Sequence, residues 1–374
     1  MSNEPWWVTD RAAQFRAFAD TDGRTAPLYA ELANGAADDP EILALLDPAP
    51  PLQQRTVLLL ASVHHLVLAD PAAEVARWYP SVDPLEAERR RAAGDDPYPA
   101  FRRFCLDHRD EIEDLVATRT TQTNEVGRCL AVVPALAEVA RATGGPVSLL
   151  EVGCSAGLNL RLDRYRLGYG DPPRWVGDPA TALPLRAREF GDHPVPLSAA
   201  LPVIADRVGL DRSPIDVHDE EAVRWLEACV FPDRVDRIER LRAAVEIARA
   251  EPVRLVPGDG VADLAAVAAS LRPDAALCVF HSWALTYFDD RDGFAAAVGG
   301  LAEAGRDVWW SSVEPSGAVP GLDVPPRDER LTPEMAANTV LALMHVTPAG
   351  RTDRVLARSH PHLDWIQWLD PRPF

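Results

Sequence analysis

From residue 146 onward the chain alternates short apolar runs with helical patterns, and this alternation constrains the fold more than any other feature. The runs are "VSLLEV", "PVRLVPGD", "DAALCVFHS" and "DVWWSSVE". Continuous apolar runs are typical of strands buried on both faces of a parallel sheet. Their alternation with helices predicts a doubly wound α/β domain. Near the end, "NTVLALMHVTPAGRTDRVLARSH" predicts an antiparallel hairpin around "TPAGRTD".

Residues 1–145 have a different character and predict an all-helical N-terminal domain. In "FRRFCLDHRDEIEDLV" the apolar residues keep the three-and-four spacing of an amphipathic helix. Residues 52–69 are apolar nearly all round, which is typical of a helix at the centre of a bundle. His64 and His65 lie in that stretch, and we expect them to be packed or hydrogen-bonded core residues. The sequence therefore predicts two domains, 1–145 and 146–374.

The charge of the chain disfavours polyanionic partners. It has 38 basic residues against 57 acidic ones, all of the basic ones arginine, for a formal net charge of -19. Such a field repels nucleic-acid phosphates and anionic membranes. We therefore expect a small-molecule substrate, with no nucleic-acid partner and no membrane partner. The oligomeric state is left open.

Neither the cysteines nor the acidic clusters predict a metal site. The five cysteines lie far apart and form no C-x-x-C pair, a pattern typical of reduced thiols in a cytoplasmic protein. "HDEE" at 218–221 has the composition of a helix start, because acids are favoured in the first turn. The N-terminus has no secretory pattern, and "TVLLLASVHHLVLA" is too short to span a bilayer. A cytoplasmic location is expected.

The stretch "LLEVGCSAGLNL" at 149–160 carries the strongest functional signal. Three small residues, Gly153, Ser155 and Gly157, alternate after an apolar strand that ends near Glu151. Glycine there indicates an unusual backbone turn or a ligand packed against the backbone. The spacing differs from the dinucleotide pattern G-x-G-x-x-G, and no G-K-[ST] follows. An acid at the strand end suits a ligand that presents an ammonium group.

"EVGCSAG" resembles the first motif of class I S-adenosylmethionine-dependent methyltransferases, acid-x-G-x-G-x-G, with Ser155 at the middle glycine. "TRTTQTNEVGR", "EVGCSAGLNLRLDRYRLGYG" and "WVGDPA" resemble more closely an uncharacterised, mainly actinobacterial family, number 2332 of the domains of unknown function. The resemblance implies a Rossmann-like class I methyltransferase sheet and S-adenosylmethionine as cofactor. The cofactor-binding residues it implies in this stretch are Glu151, Gly153, Ser155, Gly157 and Asn159.

The same resemblance implies two further cofactor-binding acids. Asp259 in "VRLVPGDGVADL" would lie beside the adenine, and Asp211 in "VIADRVGLDRSPIDV" would bind the ribose hydroxyls. The distance from Gly157 to Asp211 then requires an insertion at about 163–200. Asp178 in "VGDPA" is the rival ribose acid at a shorter distance. As alternatives, Asp259 is a turn acid or a helix cap, and Asp211 is a turn acid.

Residues at the ends of the later strands are candidates for chemistry, because open α/β sheets bind ligands at the carboxyl ends of their strands. His281 ends one run and Glu314 ends another, which makes both candidate catalytic residues, with His281 suited to act as a base. The alternative for His281 is a structural histidine at a strand end. Trp283 and Tyr287 are candidates for the substrate wall.

The segment before the first strand supplies further candidates next to the cofactor or the substrate: Gln122, Asn124, Glu125 and Arg128. Helix capping by Thr123 or Asn124 is the alternative. No Asn-Pro-Pro-Tyr-like tetrapeptide or Pro-Cys nucleophile is present. The sequence predicts a methyltransferase acting on a small molecule. The alternatives are a catalytically silent cofactor-binding or scaffold protein of the same fold, and an NAD-dependent oxidoreductase.

Overall fold

The computed structural model describes residues 10–181, 183–198, 200–326 and 339–369. The chain forms two compact units, one of residues 1–123 with 216–242 and one of residues 124–215 with 243–374. The helices are α1 (Arg11–Asp20), α2 (Pro27–Ala37), α3 (Pro40–Ala44), α4 (Thr56–Ala69), α5 (Pro84–Ala93), α6 (Tyr98–Asp107), α7 (Arg109–Thr118), α8 (Cys129–Thr143), α9 (Glu220–Ala228), α10 (Val235–Ala250), α11 (Leu264–Ala268) and α12 (Arg291–Glu303).

The first unit is built around α4, which is apolar nearly all round. Its side chains pack with those of α1, α2, α6 and α7 in one hydrophobic core. His64 is fully buried, with Nδ1 3.1 Å from the carbonyl oxygen of Ala228 and Nε2 2.8 Å from the Ser81 hydroxyl. His65 is also buried and lies against the Trp225 ring. The core role predicted for both histidines is confirmed.

Residues 216–242 return to this helical unit. Asp219 caps α9 by accepting hydrogen bonds from the backbone N–H groups of Glu221 and Ala222. The helix start predicted at 218–221 is therefore confirmed. Trp225 then packs into the same core as α4, and this burial explains why the segment belongs with the N-terminal helices.

The described strands of the second unit form an 11-stranded sheet. Its strands are β1 (Val147–Val152), β2 (Arg166–Tyr169), β3 (Arg174–Val176), β4 (Pro184–Phe190), β5 (Ile204–Asp211), β6 (Arg254–Pro257), β7 (Ala276–Ser282), β8 (Val308–Pro315), β9 (Thr339–Thr347), β10 (Gly350–Ser359) and β11 (Trp365–Trp368). Within the described residues the strand order is β6-β5-β1-β7-β8-β9-β10-β11-β4-β2-β3.

The first five strands in this order are parallel and match the order of a Rossmann-like sheet. From β1 the chain builds β5 and β6 on one side and β7 and β8 on the other, so the order reverses between β1 and β7. The hairpin of β9 and β10 joins the sheet antiparallel to β8. The predicted α/β class, the Rossmann-like sheet and the terminal hairpin are confirmed.

Helices pack against this sheet through side chains that alternate along each strand. Leu150, Val279 and Trp310 share a core with α11 and α12. Leu149 and Glu151 alternate with Leu150 and point to the opposite face. α8 packs against β1, β7 and β8. Both faces of the central strands are buried, which explains their uninterrupted apolar sequences.

The boundaries of the two compact units differ from the domain boundary predicted at residue 145. α8 precedes that boundary, yet it packs on the sheet and belongs to the second unit. Its amphipathic sequence indicates a helix but does not indicate which core the helix covers. Residues 163–200, predicted as an insertion, contain β2, β3 and β4, which extend the far side of the sheet.

The strand directions decide which loops share an edge. β10 is antiparallel to β9, and β9 is antiparallel to β8. β10 therefore runs in the same direction as β1, β7 and β8, and its carboxyl end lies at the same edge of the sheet. In the part of the chain that the structure describes, no helix has the length and apolarity needed to cross a membrane.

We expect the helical unit to lose stability on mild acidification. Burial lowers the pKa of His64 to about 4 from its ordinary 6.5, so the unfolded chain binds a proton between these values that the folded chain does not. The full stability is present above about pH 6.5 and is lost as the pH falls toward 4. Between pH 7 and 5 this one residue should cost about 2 kcal/mol.

Urea unfolding at pH 7 and pH 5 measures this loss. His64→Gln should show a smaller difference between the two pH values by about that amount, whatever its absolute stability. His218→Gln, which changes an exposed histidine of the same unit, should keep the wild-type difference. An unchanged pH dependence in His64→Gln would contradict the expectation.

Candidate functional site

The turn after β1 lies at the point where the strand order reverses, and its backbone takes conformations that favour glycine. Gly153 has a φ of 74° and Gly157 a φ of 64°, while Ser155 between them has a φ of 51°. The glycines of "EVGCSAG" are thus required by the turn itself. Ligands of open α/β sheets bind outside the carboxyl ends of the strands at such a reversal.

Gly153 is also required by a close neighbour. A Cβ built on Gly153 would lie 2.4 Å from the Cβ of Ala284, in the loop after β7. The turn after β1 and the loop after β7 therefore meet without room for a side chain.

Glu151, near the end of β1, is buried to 1 % exposure. Its Oε1 accepts a hydrogen bond from Asn159 Nδ2 at 3.2 Å, whereas its Oε2 has no hydrogen-bond partner within the described part of the chain. Burial raises the pKa of Glu151 to about 8, against the lowering effects of the Asn159 hydrogen bond and the Arg128 charge. Glu151 is thus a buried carboxyl group, one oxygen of which lacks a hydrogen-bond partner among the described residues.

Asp211 ends β5, next to β1, and binds the small-residue turn. Its Oδ2 accepts the backbone N–H of Ser155 at 2.8 Å, and its Oδ1 accepts the backbone N–H of Ser213 at 2.8 Å. Asp178 is placed after β3, at the opposite end of the strand order from β5. Of the two rival ribose acids, the structure brings only Asp211 to the β1 turn.

Asp259 lies in the loop after β6, beside the loop of Asp211. Its Oδ1 accepts the backbone N–H groups of Val261 and Ala262, and its Oδ2 pairs with Arg212. These two backbone hydrogen bonds, together with Arg212, hold the pKa of Asp259 below its usual range. The contacts are those of a turn acid, the alternative that the sequence leaves open. They fix the carboxylate near the Asp211 loop.

The segment before α8 connects three loops of the same edge. Asn124 Oδ1 accepts the backbone N–H of Leu158, which follows the β1 turn. Arg128 donates from Nη1 to the carbonyl oxygen of Ser282 at 3.0 Å and from Nε to that of Pro361 at 3.2 Å. Glu125 Oε1 accepts the backbone N–H of Gly127 at 2.9 Å.

Gln122 does not belong to the same compact unit as Asn124, Glu125 and Arg128. It belongs to the helical unit, where its backbone N–H donates to Cys229 Sγ at 3.5 Å. Its role next to the cofactor stays a prediction. Asn124, Glu125 and Arg128 belong to the unit of the sheet.

His281, at the end of β7, is enclosed at 1 % exposure with both ring nitrogens engaged. The Trp310 indole N–H donates to Nε2 at 2.8 Å, and Nδ1 lies 2.8 Å from Glu314 Oε1. Because an indole can only donate, Nε2 carries no proton and the ring donates from Nδ1. In this arrangement no ring nitrogen is left to accept a substrate proton, which favours a structural role. Catalysis by His281 stays a prediction.

Glu314, at the end of β8, organises the loop after β7. Its Oε1 accepts the backbone N–H groups of Ala284 and Leu285 in addition to the His281 ring, and its Oε2 lies 3.3 Å from the backbone N of Thr286. A carboxylate that accepts this many hydrogen bonds is suited to holding the loop in place. Its predicted catalytic role likewise stays a prediction.

Two aromatic residues of the loop after β7, Trp283 and Tyr287, are the candidates for the substrate wall. Trp283 has a φ of 52°, and its indole N–H donates to the Thr339 hydroxyl at 2.8 Å. The Arg128 guanidinium lies 5.8 Å from its ring centre. Tyr287 is 66 % exposed, which leaves its ring available to a molecule at this edge.

The turn after β10, at the same edge of the sheet, is not among the site residues predicted from the sequence. His360 and His362 flank Pro361 there, and His362 Nδ1 lies 3.8 Å from Glu125 Oε2. The sequence does show two histidines directly after a predicted strand, in "ARSHPHLDW". The edge of the sheet at which they lie depends on the direction of that strand, and this direction follows only from its pairing with β9. Among the described residues no group of three or more His, Cys, Asp or Glu side chains is placed to hold a metal ion.

Comparison with protein families matches residues 12–368 to the family described as an uncharacterised protein conserved in bacteria, DUF2332. The chain belongs to the DUF2332 family. The resemblance of "TRTTQTNEVGR" and "WVGDPA" to this family is thereby confirmed. A comparison with curated proteins finds no match.

Solved structures similar to this DUF2332 protein include three methyltransferases. The bifunctional kinase-methyltransferase WbdD is 13% identical with a TM-score of 0.29, over 65% of this chain and 42% of that one. The sugar N-methyltransferase KedS8 from Streptoalloteichus is 14% identical with a TM-score of 0.23, over 62% and 70%. An S-adenosylmethionine-dependent methyltransferase from Clostridium acetobutylicum is 9% identical with a TM-score of 0.24, over 68% and 79%. This chain thus spans less than half the length of WbdD.

The contact between Gly153 and Ala284 predicts a coupled pair of substitutions. Gly153→Ala should destabilise the DUF2332 protein by about 2–4 kcal/mol, because it adds a clash to a strained positive φ. Ala284→Gly in the same chain should recover about 1 kcal/mol or more by removing the opposing Cβ. Denaturant unfolding of the two single variants and the double variant gives this coupling energy.

Gly299→Ala is the matched control, since a Cβ at this position in α12 meets nothing within 4 Å. It should be neutral or slightly stabilising. Additive effects of Gly153→Ala and Ala284→Gly would show that the two loops do not meet as described.

Glu314→Gln should destabilise the protein by about 3–5 kcal/mol, because it places an amide donor against buried N–H groups and removes the partner of His281. Glu303→Gln on the exposed surface of α12 should change stability by less than about 0.5 kcal/mol. Equilibrium unfolding measures both. A stable Glu314→Gln variant with an unaltered near-ultraviolet spectrum would exclude this organising role.

Proposed function

We propose that this DUF2332 protein is an S-adenosylmethionine-dependent methyltransferase that acts on a small molecule. The observation that carries the proposal is the buried Glu151 beside the small-residue turn, with Oε2 lacking a partner among the described residues. An unpaired buried polar atom costs about 1–3 kcal/mol. The ammonium group of an amino-acid head would offset this cost and would favour the ionised carboxylate.

The residues around the turn fit the parts of such a cofactor, which has an amino-acid head, a sulfonium and a ribose but no phosphate. Glu151, oriented by Asn159, would hold the head. Asp211 would accept the ribose hydroxyls, since each of its oxygens keeps a second lone pair after binding Ser155 and Ser213. Asp259 would border the adenine. When bound, the cofactor supplies a methyl group activated by the sulfonium.

The acceptor would enter at the same edge, where Trp283, Tyr287 and the 124–128 segment lie. Methyl transfer is an in-line displacement, so the protein mainly aligns the acceptor and removes its proton when necessary. The net charge of -19 disfavours a nucleic-acid acceptor and supports a small molecule. We place His281 and Glu314 as positioning residues that hold the loop after β7.

Ligand binding to the purified protein tests this proposal. S-adenosylmethionine and S-adenosylhomocysteine should raise the melting temperature, because a ligand at 100 times its Kd adds about 2.7 kcal/mol of stability. Glu151→Gln should weaken binding about 30-fold, since it leaves the ammonium without a buried charge partner. Glu246→Gln, an exposed change of the same type, should bind as the wild type does.

The ionisation of Glu151 gives a second readout. Because its pKa is about 8 without ligand, binding at pH 7 should release about one proton, measured by calorimetry in buffers of different ionisation enthalpy. Glu151→Gln should release none. A rise in melting temperature with NAD, and none with either adenosyl compound, would favour the oxidoreductase. Binding without transfer of labelled methyl to a small-molecule extract would favour the catalytically silent protein.

A further inference from the structure

Arg161 is a buried arginine that follows the small-residue turn, and the proposed function does not use it. It lies in the 3-10 helix Asn159–Arg164 and is 3 % exposed. Its guanidinium donates from Nη1 to the carbonyl oxygen of Gly157 at 2.8 Å. It also donates from Nε to the carbonyl oxygen of Glu251 at 2.8 Å and from Nη2 to that of Ala248 at 3.3 Å. All of these residues belong to the unit of the sheet.

The contacts with Ala248 and Glu251 have a structural explanation. Both carbonyl groups lie at the carboxyl end of α10, and the last carbonyls of a helix have no intrahelical donors. An arginine there completes the hydrogen bonds of the helix end and interacts favourably with its partial negative charge. The contact with Gly157 lies outside this role, because Gly157 belongs to the turn after β1.

The guanidinium charge is costly to bury. Its three hydrogen bonds all end on carbonyl oxygens rather than on a carboxylate, and burial lowers the pKa of Arg161 from its ordinary value. A buried charge that is bound by neutral groups carries a large desolvation penalty. Many helices are capped by a glycine, with no buried charge. The buried guanidinium therefore indicates a second role beside the cap of α10.

The hydrogen bond from Arg161 fixes the end of the small-residue turn. The Gly157 N–H donates to the Cys154 carbonyl oxygen at 2.7 Å, and the Gly157 carbonyl oxygen accepts the Arg161 guanidinium. A Cβ built on Gly157 would lie 2.7 Å from Leu255 Cδ2 on β6. Gly157 is thus held through its N–H, its carbonyl group and its packing, and the hydrogen bond from Arg161 closes residues 157–161 into a loop.

Asn159 lies in the middle of this closed loop. Its Nδ2 donates to Glu151 Oε1 at 3.2 Å, and its Oδ1 lies 3.4 Å from Cys129 Sγ. Because Gly157 and Arg161 are joined on either side of it, their contact sets where the Asn159 amide meets Glu151. That amide binds Oε1, so Oε2 is the Glu151 oxygen without a partner among the described residues.

We propose that Arg161 is a positioning residue of the cofactor site. Its guanidinium holds residues 157–161 in the conformation in which Asn159 binds Oε1 of Glu151, and this leaves Oε2 for the ammonium group of the ligand. Against the effect of burial, the Arg161 charge and the Asn159 hydrogen bond both lower the pKa of Glu151, so both favour the ionised carboxylate that an ammonium group needs. This inference rests on the proposed methyltransferase function, whose cofactor supplies the ammonium group.

Binding of S-adenosylhomocysteine to the purified protein tests Arg161. Arg161→Lys keeps the positive charge but replaces the planar guanidinium that binds three carbonyl groups at once. Its Kd should rise about tenfold, the effect typical of losing a residue that orients a ligand-binding side chain. Calorimetry measures the Kd at a temperature at which the variant and the wild type are both folded.

The matched control is Arg306→Lys. Arg306 also donates to three carbonyl groups, those of Ala268, Leu271 and Arg272 at the end of α11. It precedes β8 and therefore lies at the opposite edge of the sheet from the small-residue turn. Arg306→Lys should lower the melting temperature, as Arg161→Lys does, and should bind S-adenosylhomocysteine with the wild-type Kd.

A double-mutant cycle shows whether Arg161 acts through Asn159. Asn159→Ala should weaken binding by a factor similar to that of Arg161→Lys. In the Asn159→Ala background, Arg161→Lys should weaken binding by less than about a further twofold, because the side chain that it positions is already absent. An arginine that only caps α10 would change the melting temperature and leave the Kd unchanged in both backgrounds.

The carboxyl group of Glu151 gives a readout that needs no ligand. In carbon-13 spectra of the folded protein its titration midpoint, at about pH 8 in the wild type, should rise in Arg161→Lys, because the Asn159 hydrogen bond that favours the carboxylate is weakened. It should stay in place in Arg306→Lys. Glu151→Gln identifies the signal by removing it.

A folded Arg161→Lys variant with the wild-type Kd and the wild-type Glu151 midpoint would overturn this inference, as would additive effects in the cycle. If Arg161→Lys does not fold, Arg161→Gln serves in the same measurements, and its Glu151 midpoint should rise further because the charge is also lost. Failure of the proposed function is recognised separately: the wild type would then bind neither adenosyl compound, while the Glu151 midpoint would still respond to Arg161→Lys.

Discussion

The carboxylate of Glu314 is the interaction on which the geometry of the site edge depends. It receives the His281 ring and the N–H groups at the start of the loop after β7, and it thereby joins the end of β8 to that loop. The loop in turn places Ala284 against Gly153, where a Cβ would lie only 2.4 Å away. The loops at the reversal of the strand order are therefore held by a buried hydrogen-bond network and by their direct packing on each other.

The two buried acids of this edge project to opposite faces of the sheet and differ in their hydrogen-bond partners. Glu151 pairs in register with Phe280, so His281, one residue on, points to the other face with Glu314. Glu314 is satisfied by donors of the chain, which makes it part of the fold's stability. Glu151 keeps an oxygen without a partner among the described residues, at the cost of a raised pKa. A complete network stabilises the protein, whereas an incomplete one carries the cost of an unpaired buried group.

Several elements could be predicted because their signal is local. β1, β7 and β8 are continuous apolar runs, and the hairpin of β9 and β10 has its turn residues in the expected place. β2, β3 and β11 are three or four residues long, too short for a periodic pattern, and they are strands because neighbouring strands pair with them. α8 was predicted as a helix, but its position on the sheet depends on which core buries its apolar face.

By itself the sequence determined that a parallel sheet would form and that a bare turn would follow Glu151. Uninterrupted apolar strands require burial on both faces, and a positive φ favours glycine wherever it occurs. Only the tertiary structure decided what each polar side chain at the edge can do. His281 lies at the end of one strand and His362 follows another, yet the first is enclosed by Trp310 and the second lies 3.8 Å from Glu125 in a partly exposed position. The state of a histidine is set by its burial and its partners, and these partners come from distant parts of the chain.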